Sequence, residues 1–491
     1  MLLDRVSLTA SKDCGLQKTR LVVVGVSGGA DSLCLLDVLC SLGYPLVVAH
    51  FNHQLRPEAD EDARQVEIAA QQRGMVFVLG GADVAGYAER HSISLEEAAR
   101  HLRYIFLFEQ ARHFSAQAVA VGHTADDQVE TVLMHLLRGS GLGGLKGMSF
   151  STRLLGWDPN LPLVRPLLST WREETHAYCV GRGLRLVVDA TNFDSTYLRN
   201  RVRLDLIPLL ETYNPQFRLA LYRTASILAG DDAVLNQVLD ELWPGCLASL
   251  GPGYAALTRA QVLRLAPGLQ RGILRRAIAV LRPEMRDIDL EMVERALQFF
   301  IHPARAKQMN LADGLHLVEE SGRVYLVDGT ASLPADDWPQ LESASSLSLD
   351  RAGEIPLAAG WKLAANIILD EQAAGIYEIA TASQDPFQAW VDAEQARFPL
   401  VVRPRKNGDC WQPLGLEKGS QKLSDFFINE KCPPRARAGW PLVSSGDQIL
   451  WIPGYRPSEA CRLSGGTRKI LHLRVWRVRT SQSLPVVSTS G

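Results

Sequence analysis

The chain has 491 residues, of which 46% are hydrophobic and 22% charged, a composition typical of globular proteins with about two to four domains. Its formal net charge of −2 provides no chain-wide basic signal, so any contact with nucleic acid has to come from local patches. The first twenty residues lack an apolar signal region and no run of about 18 apolar residues occurs, which argues against secretion and against a membrane span.

Strand and helix patterns alternate along the first 217 residues. Short apolar runs predict strands, and apolar residues at helical spacing predict the helices between them. The predicted strands span residues 21–26, 45–51, 75–79 and 116–121, and the predicted helices span 31–42, 58–73, 95–113 and 126–137. This alternation implies right-handed crossovers, so we predict an α/β fold with a Rossmann-like parallel sheet in a catalytic domain over residues 1–217.

The pattern changes after residue 217. Helical periodicity at 220–242 and 270–281, with no strand-like run before residue 300, predicts a mainly helical domain over 218–330. An alternating segment at 316–327 contains Ser321-Gly322 and predicts a hairpin. The more C-terminal regions are a linker or unassigned stretch at 331–395, a small β-rich domain at 396–480, and a Ser/Thr-rich tail at 481–491 that we expect to be disordered.

The hexapeptide S-G-G-A-D-S at residues 27–32 lies between the first predicted strand and helix. Its two glycines let the backbone approach an anion closely, and the helix start directs unpaired amides at that anion. No lysine follows the glycines, so the segment is neither a Walker loop nor G-x-G-x-x-G. Asp31 would repel a phosphate unless Mg²⁺ bridged the two, so we predict a pyrophosphate-binding loop with Asp31 as a metal ligand.

Polar residues follow the second and fourth predicted strands, whose carboxyl ends share the sheet edge with this loop. After the second strand, Arg56 could contact phosphate, whereas His50 fits a core histidine equally well. After the fourth strand, Asp127 and Glu130 are three residues apart and therefore on one helical face. They could hold Mg²⁺ or a substrate ammonium, although an acidic first turn that complements the helix dipole remains open. The glycine-rich segment 138–145 could cover a bound nucleotide.

Taken together, these segments resemble the tRNA(Ile)-lysidine synthetase family of PP-loop ATP pyrophosphatases. The matching motifs are S-G-G-A-D-S at 27–32, H-F-N-H-Q-L-R at 50–56, A-R-H-L-R-Y at 99–104, G-H-T-A-D-D-Q-V-E-T at 122–131, R-G-S-G-L-G-G-L-K-G-M at 138–148, D-A-T-N-F-D-S-T-Y-L-R-N-R-V-R at 189–203, and V-R-P-R-K-N-G-D from 402. The segment 189–203 and the C-terminal domain distinguish this family from other PP-loop enzymes, which do not share them. Thr124 stands where many members carry a second histidine, which weakens any catalytic role at that position.

The resemblance implies a ligase that adenylates the C2 carbonyl oxygen of the wobble cytidine in the CAU anticodon of tRNA(Ile). The ε-amine of L-lysine then attacks C2, and AMP and pyrophosphate are the other products. The implied cofactors are ATP and Mg²⁺, the implied partners are tRNA(Ile) and L-lysine, and a homodimer is left open. The implied nucleotide-binding residues are Ser27, Gly28, Gly29, Ala30, Asp31, Ser32, His50, Arg56 and His123. The implied catalytic residues are Asp31, Arg103, Asp127, Glu130, Asn192 and Arg203, with Arg199 and Arg201 nearby.

Basic and aromatic residues are interleaved in the C-terminal domain. Between residues 402 and 437 eight basic residues outnumber four acidic ones, and Trp411, Phe426, Phe427 and Trp440 lie among or beside them. Such a mixture suits backbone phosphates and stacked bases, although a solvated face over core aromatics fits the charges equally well. From the family resemblance we expect this domain to recognise the acceptor stem.

Two alternatives stay open. A tRNA thiolase would need cysteines that carry sulfur or a cluster, usually paired as C-x-x-C, and the eight cysteines of this chain include no such pair. Scattered cysteines also predict reduced thiols and a cytoplasmic protein. An inactive tRNA-binding paralogue is the second alternative, and the loss of Asp31, Asp127 or Glu130 would have indicated it, but all three are present.

Overall fold

The structure is a computed structural model, and it describes residues 2–55, 58–154, 156–187, 198–283, 285, 288–302, 308–329, 331–343, 345–369, 377–380, 382–416 and 419–478. In this part of the chain every helix is too short or too polar to cross a membrane. The chain divides into two compact units. Among the described residues, the first unit contains those up to 251 together with 255–326, and the second contains 252–254 and 327–478.

A six-stranded sheet forms the centre of the first unit. Its strands are β1 (Val22–Gly25), β2 (Leu46–Asn52), β3 (Val76–Gly81), β4 (Ala118–Val121), β5 (Ser151–Arg153) and β6 (Pro162–Val164). They are ordered β3-β2-β1-β4-β6-β5, and all neighbours are parallel except the pair β5 and β6. The order of the strands changes direction between β1 and β4. In open parallel sheets, ligands bind in the crevice at the carboxyl ends of the two strands that flank such a point.

Helices cover both faces of this sheet, as predicted. They are α1 (Leu2–Leu8), α2 (Ala30–Ser41), α3 (Ala59–Gln71), α4 (Val84–His91), α5 (Leu95–His113), α6 (Ala125–Leu137), α7 (Leu142–Leu145), α8 (Arg172–Gly181), α9 (Leu198–Arg201) and α10 (Ile207–Tyr213), with π-helical turns at Thr9–Asp13 and Val202–Leu206. Val22 and Val24 of β1 pack into a core with α2, whereas Val23 packs into a second core with α5. The sequence of a strand such as β1 is apolar at successive positions because the side chains on both faces of the sheet are buried.

The remainder of the first unit combines helices with a second sheet. Its elements are α11 (Phe217–Cys246), β7 (Leu247–Gly251), β8 (Tyr254–Thr258), α12 (Arg259–Leu263), α13 (Pro267–Leu281), α14 (Leu290–Ile301), β9 (Gln308–Asn310), β10 (Leu315–Glu320) and β11 (Arg323–Asp328). The predicted helices and the hairpin around Ser321-Gly322 are confirmed. The prediction of no strand before residue 300 is wrong, because β7 and β8 join β11-β10-β9 in one five-stranded sheet. Pro252-Gly253, between β7 and β8, is a two-residue turn signal. It was overlooked because helical periodicity dominates the sequence on both sides of it.

The second unit is β-rich, as predicted. It contains β12 (Leu347–Leu349), β13 (Gly353–Pro356), β14 (Trp361–Leu369), β15 (Gln388–Asp392), β16 (Leu400–Arg403), β17 (Cys410–Trp411), β18 (Gln421–Lys422), α15 (Leu423–Asn429), α16 (Pro434–Arg437), β19 (Leu442–Ser445), β20 (Gln448–Trp451) and β21 (Lys469–Arg477). Two antiparallel sheets, β12-β16-β19-β20 and β13-β14-β21-β15, share one apolar core. The stretch 331–395, for which the sequence indicates no structure, supplies four of these strands. The tail 481–491 lies outside the described residues.

Candidate active site

The loop at residues 27–32 joins β1 to α2 and is closed by its own hydroxyl groups. The Ser27 amide donates to Oγ of Ser32 at 3.1 Å, and that hydroxyl donates to the Gly29 carbonyl at 3.0 Å. Gly28 has a φ of +91°, and a Cβ there would lie 3.0 Å from Val187. Because the first amides of α2 have no acceptor within the helix, the loop can offer them to an anion, as the sequence predicts.

The end of β4 lies directly against the start of α2. A Cβ on Gly122 would lie 3.0 Å from the carbonyl group of Asp31 and from the amide nitrogen of Ser32. A glycine is therefore required for the two segments to approach this closely. This contact places the acidic start of α6 beside the loop at residues 27–32.

The start of α6 is fixed by a capping box. Oδ2 of Asp127 accepts hydrogen bonds from the Thr124 amide at 2.8 Å and the Thr124 hydroxyl at 2.9 Å. Thr124, which departs from the usual family residue, therefore serves as the helix cap. The other carboxylate oxygen of Asp127 remains directed at the cluster described next.

Two arginines of the segment from α9 to the following π-helical turn hold the carboxylates of α6. The Glu130 side chain is 1% exposed, and it accepts from Nε of Arg203 at 2.7 Å and from Nε of Arg199 at 2.8 Å. Arg199 also contacts Asp127 at 3.1 Å. Burial alone would raise the pKa of Asp127, but Arg199, Arg172 and the Thr124 donors outweigh it and hold that pKa below its usual value. Asp127 is therefore ionised at neutral pH.

Arg172, which the sequence analysis missed, connects the loop to the acidic helix. Its guanidinium lies 3.4 Å from Asp31, 3.2 Å from Asp127 and 3.4 Å from Glu130. Its amide also donates to Asp126 at 2.7 Å. Asp31, Asp127 and Glu130 therefore all contact one guanidinium group.

Thr175, one turn further along α8, is a second residue that the sequence analysis missed. Its hydroxyl donates to Oδ1 of Asp31. Burial nevertheless raises the pKa of Asp31, against the effect of Thr175 and Arg172. Both residues follow β6, a three-residue strand too short to show a periodic pattern. The nearest signal in the sequence is the R-P-L-L motif at 165–168, directly before them.

The two predicted histidines each make a hydrogen bond within the protein. His50 is buried, and its Nδ1 donates to the Val26 carbonyl at 2.8 Å, which matches the core-histidine interpretation. Nδ1 of His123 accepts from Nε of Arg165 at 3.2 Å. Burial, and then the positive charges of Arg165 and Arg199, hold the pKa of His123 well below its ordinary value. His123 is therefore neutral at pH 7, with its proton on Nε2.

The remaining predicted residues have different outcomes. The Arg103 guanidinium lies 5.2 Å from the ring centroid of Tyr104. Its Nε is buried and has no hydrogen-bond partner among the residues that the structure describes. Arg201 is exposed. Arg56 and Asn192 lie outside the described residues.

A cavity of about 530 Å³ opens beside Glu130. It is lined by charged groups of both signs and a few apolar side chains: Asp126, Glu130, Arg172, Glu173, His176, Ala177, Arg203, Ile207, Pro208, Glu211 and Arg218. Arg218, at the start of α11, contacts Glu211 at 2.7 Å and Asp126 at 3.0 Å. A cavity lined by both carboxylates and guanidinium groups suits a ligand that carries both charges.

The chemistry of Asp31 fits a nucleotide-borne Mg²⁺ ion. Within the described part of the chain no group of three or more His, Cys, Asp and Glu side chains could hold a metal. Mg²⁺ commonly takes one or two carboxylates and completes its shell with substrate phosphates and water. Asp31, at the first turn of α2 beside the loop, could provide one such oxygen ligand.

The interleaved aromatic residues of the second unit are buried. Trp411, Phe426, Phe427 and Trp440 are 4%, 6%, 0% and 3% exposed and form one apolar cluster. The prediction that they stack on bases is therefore wrong, and the core interpretation is correct. Arg403 is also buried and pairs with Asp409 at 2.8 Å. The exposed cations of this unit include Arg405, Lys406, Lys422, Lys431, Arg456, Arg462, Arg468 and Arg474, while Lys418 lies outside the described residues.

Comparison with known proteins identifies relatives along almost the whole chain. Residues 4–210 match the family model of a PP-loop domain, and residues 400–474 match that of a TilS substrate C-terminal domain. The chain is 34% identical over 479 residues to a tRNA(Ile)-lysidine synthase of Dehalococcoides mccartyi, covering 96% of this chain and 99% of that protein. It is 36% identical over 459 residues to a tRNA(Ile)-lysidine synthase of Geobacter sulfurreducens, covering 92% and 93%.

Proposed function

Because the chain belongs to the tRNA(Ile)-lysidine synthase family, we propose that it joins L-lysine to the wobble cytidine of a tRNA(Ile) with a CAU anticodon. It is an ATP-using PP-loop enzyme that modifies tRNA(Ile). In the proposed reaction, the C2 carbonyl oxygen of cytosine attacks the α-phosphate of ATP and pyrophosphate leaves. The ε-amine of lysine then attacks C2, loses a proton, and displaces AMP. One observation carries the proposal: Arg172 joins Asp31 of the loop to Asp127 and Glu130 of α6, so the groups proposed for both steps converge on one guanidinium group.

The loop at 27–32 would bind the ATP phosphates through the amides at the start of α2. A Mg²⁺ ion held by Asp31 would neutralise part of the phosphate charge. Attack on the α-phosphate also needs fixed positive charges, which the guanidinium groups of Arg172, Arg199 and Arg203 can supply without reorganising solvent. Neutral His123 can donate from Nε2 to an oxygen of the nucleotide.

Lysine would enter through the cavity beside Glu130. Its volume of about 530 Å³ lies within the range of small-molecule sites. Glu130 of this cavity and the neighbouring Asp127 can hold an ammonium, and the arginines that also line the cavity can hold the α-carboxylate. An ammonium held in this way must still lose its proton before it becomes a nucleophile.

The second unit would contact the acceptor stem through phosphates. Its exposed cations include Arg405 and Lys406 beside the buried Arg403–Asp409 pair. Because its four interleaved aromatics are core residues, affinity from this unit would come from charge and shape. Such binding weakens steeply as the salt concentration rises.

The direct test is to incubate the full chain with ATP, labelled lysine and total tRNA, and then to digest the RNA to nucleosides. We expect the label in a modified cytidine. Label that appears only in aminoacyl esters, or nowhere, would reject the proposal. Asp127→Asn should abolish labelling because it removes a charge of the cluster, whereas Glu109→Gln, an exposed position of α5 outside the cavity lining, should retain it.

A further inference from the structure

Arg172 contacts three carboxylates that belong to two helices. Asp31 lies on α2, and Asp127 and Glu130 lie on α6, at 3.2–3.4 Å from its guanidinium. These contacts are longer than the 2.7 and 2.8 Å contacts by which Arg203 and Arg199 hold Glu130. Arg172 is also 31% exposed at its side chain. It is thus shared among three anions of two helices and borders the cavity, whereas Arg199 and Arg203 contact carboxylates of α6 alone, with their shortest contacts at Glu130.

We propose that Arg172 is an internal counter-cation, which occupies the metal-binding and ammonium-binding carboxylates until the phosphates of ATP draw it away. The proposal rests on the proposed function, since that function assigns Asp31 to Mg²⁺ and the α6 pair to lysine. Arg172 then acts as a positioning residue that controls when these anions become available.

The charges of this cluster favour such a group. Three carboxylates that converge without a cation would repel one another in a partly desolvated site. A guanidinium relieves that repulsion, and its planar donors bind phosphate oxygens at least as well as carboxylates. When ATP occupies the loop beside Asp31, Arg172 can exchange its carboxylate partners for phosphate, and a divalent cation can take its place at Asp31.

The same argument predicts an order of binding. Without ATP, a divalent cation has to compete with a covalently attached positive charge at 3.4 Å from Asp31. The lysine ammonium meets the same competitor at Asp127 and Glu130. Both cations should therefore bind weakly to the free protein and more tightly once the nucleotide is present.

The test measures Mn²⁺ binding to the full chain by electron paramagnetic resonance, without ATP, tRNA or lysine. Removal of the positive charge in Arg172→Ala or Arg172→Gln should tighten Mn²⁺ binding by at least about tenfold. Arg172→Lys keeps the charge and should bind Mn²⁺ as weakly as the wild type. Adding Asp31→Asn to Arg172→Gln should remove the gain, because the metal then lacks its ligand.

Arg182→Ala is the matched control. Arg182 caps the same helix α8 and pairs with Asp37 of α2 at 3.0 Å, so its removal deletes an ion pair between the same two helices. Asp37 keeps Arg73 as a partner at 2.7 Å, and Mn²⁺ binding should not change. Circular dichroism and thermal melting show whether each variant folds. If Arg172→Ala does not fold, Arg172→Gln replaces it, because glutamine keeps hydrogen-bond donors at this position.

Unchanged Mn²⁺ affinity in folded Arg172→Gln, or an equal gain in Arg182→Ala, would overturn the proposal. The lysidine assay is independent of this result, because the metal measurement uses neither substrate. A wild-type chain that makes no lysidine would reject the proposed function, even if the Arg172 variants bind Mn²⁺ more tightly.

Discussion

Replacement of Glu130 by glutamine should destabilise the first unit by about 3–5 kcal/mol, the cost typical of removing one partner of a buried ion pair. The Glu130 side chain is 1% exposed and holds Arg203 and Arg199 at 2.7 and 2.8 Å. A glutamine would leave the positive charges of Arg199 and Arg203 less compensated. Its amide group would also place N–H donors against the N–H donors of these guanidinium groups. Because Asp127 still contacts Arg199 at 3.1 Å, we expect the lower end of that range.

The matched comparison is Glu173→Gln. The Glu173 side chain is 82% exposed and lies 3.5 Å from Arg218, and exposed pairs of this kind contribute at most about 1 kcal/mol. Hydrogen exchange in increasing urea, read on peptides of α6, would report the free energy of unfolding of the first unit separately from that of the second. An equal effect of the two substitutions, or a cost below about 1 kcal/mol for Glu130→Gln, would refute the view that this cluster is buried and coupled.

Three further predictions concern other parts of the chain. Gly122→Ala should abolish pyrophosphate release, because its Cβ would lie 3.0 Å from the α2 backbone; wild-type rates would contradict the close approach. Phe427→Ala, at a 0% exposed position, should lower the free energy of unfolding of the second unit by about 3–5 kcal/mol; weaker tRNA binding at unchanged stability would instead indicate base stacking. Iodoacetamide at pH 8 should modify exposed Cys410 and spare Cys14, because burial raises the pKa of Cys14 to about 12 and keeps its thiol protonated; equal labelling in peptide mass spectra would contradict this assignment.

The fold of the first 217 residues could be predicted wherever a periodic apolar pattern was bounded by a capping or turn residue. Helix α5 covers 95–113, the predicted range, because the Ser94 hydroxyl accepts from the Glu97 amide at 3.2 Å and caps the start of the helix. The strands of the parallel core were recognised because both of their faces are buried. The loop and the acidic helix could be placed at one edge because the carboxyl ends of parallel strands lie together.

The omission of Arg172 has a physical cause. The strand that precedes it, β6, contains three residues, which is too few to show whether apolar residues recur in a strand or a helical pattern. Without that strand, the start of α8 could not be assigned to the same edge as Asp31. The sequence therefore predicts the anions of the site and leaves out the cation that connects them, which only the tertiary structure brings within 3.4 Å.

The aromatic residues of the second unit show why composition alone does not identify a nucleic-acid surface. Trp411 and Phe427 alternate with cations along the chain, yet their side chains are 4% and 0% exposed, because a small β-rich unit needs large side chains to fill its core. The surrounding exposed cations, such as Arg405 and Lys406, remain available for phosphates. A surface with charge but without these stacking side chains can read the position and shape of a helix better than its base sequence.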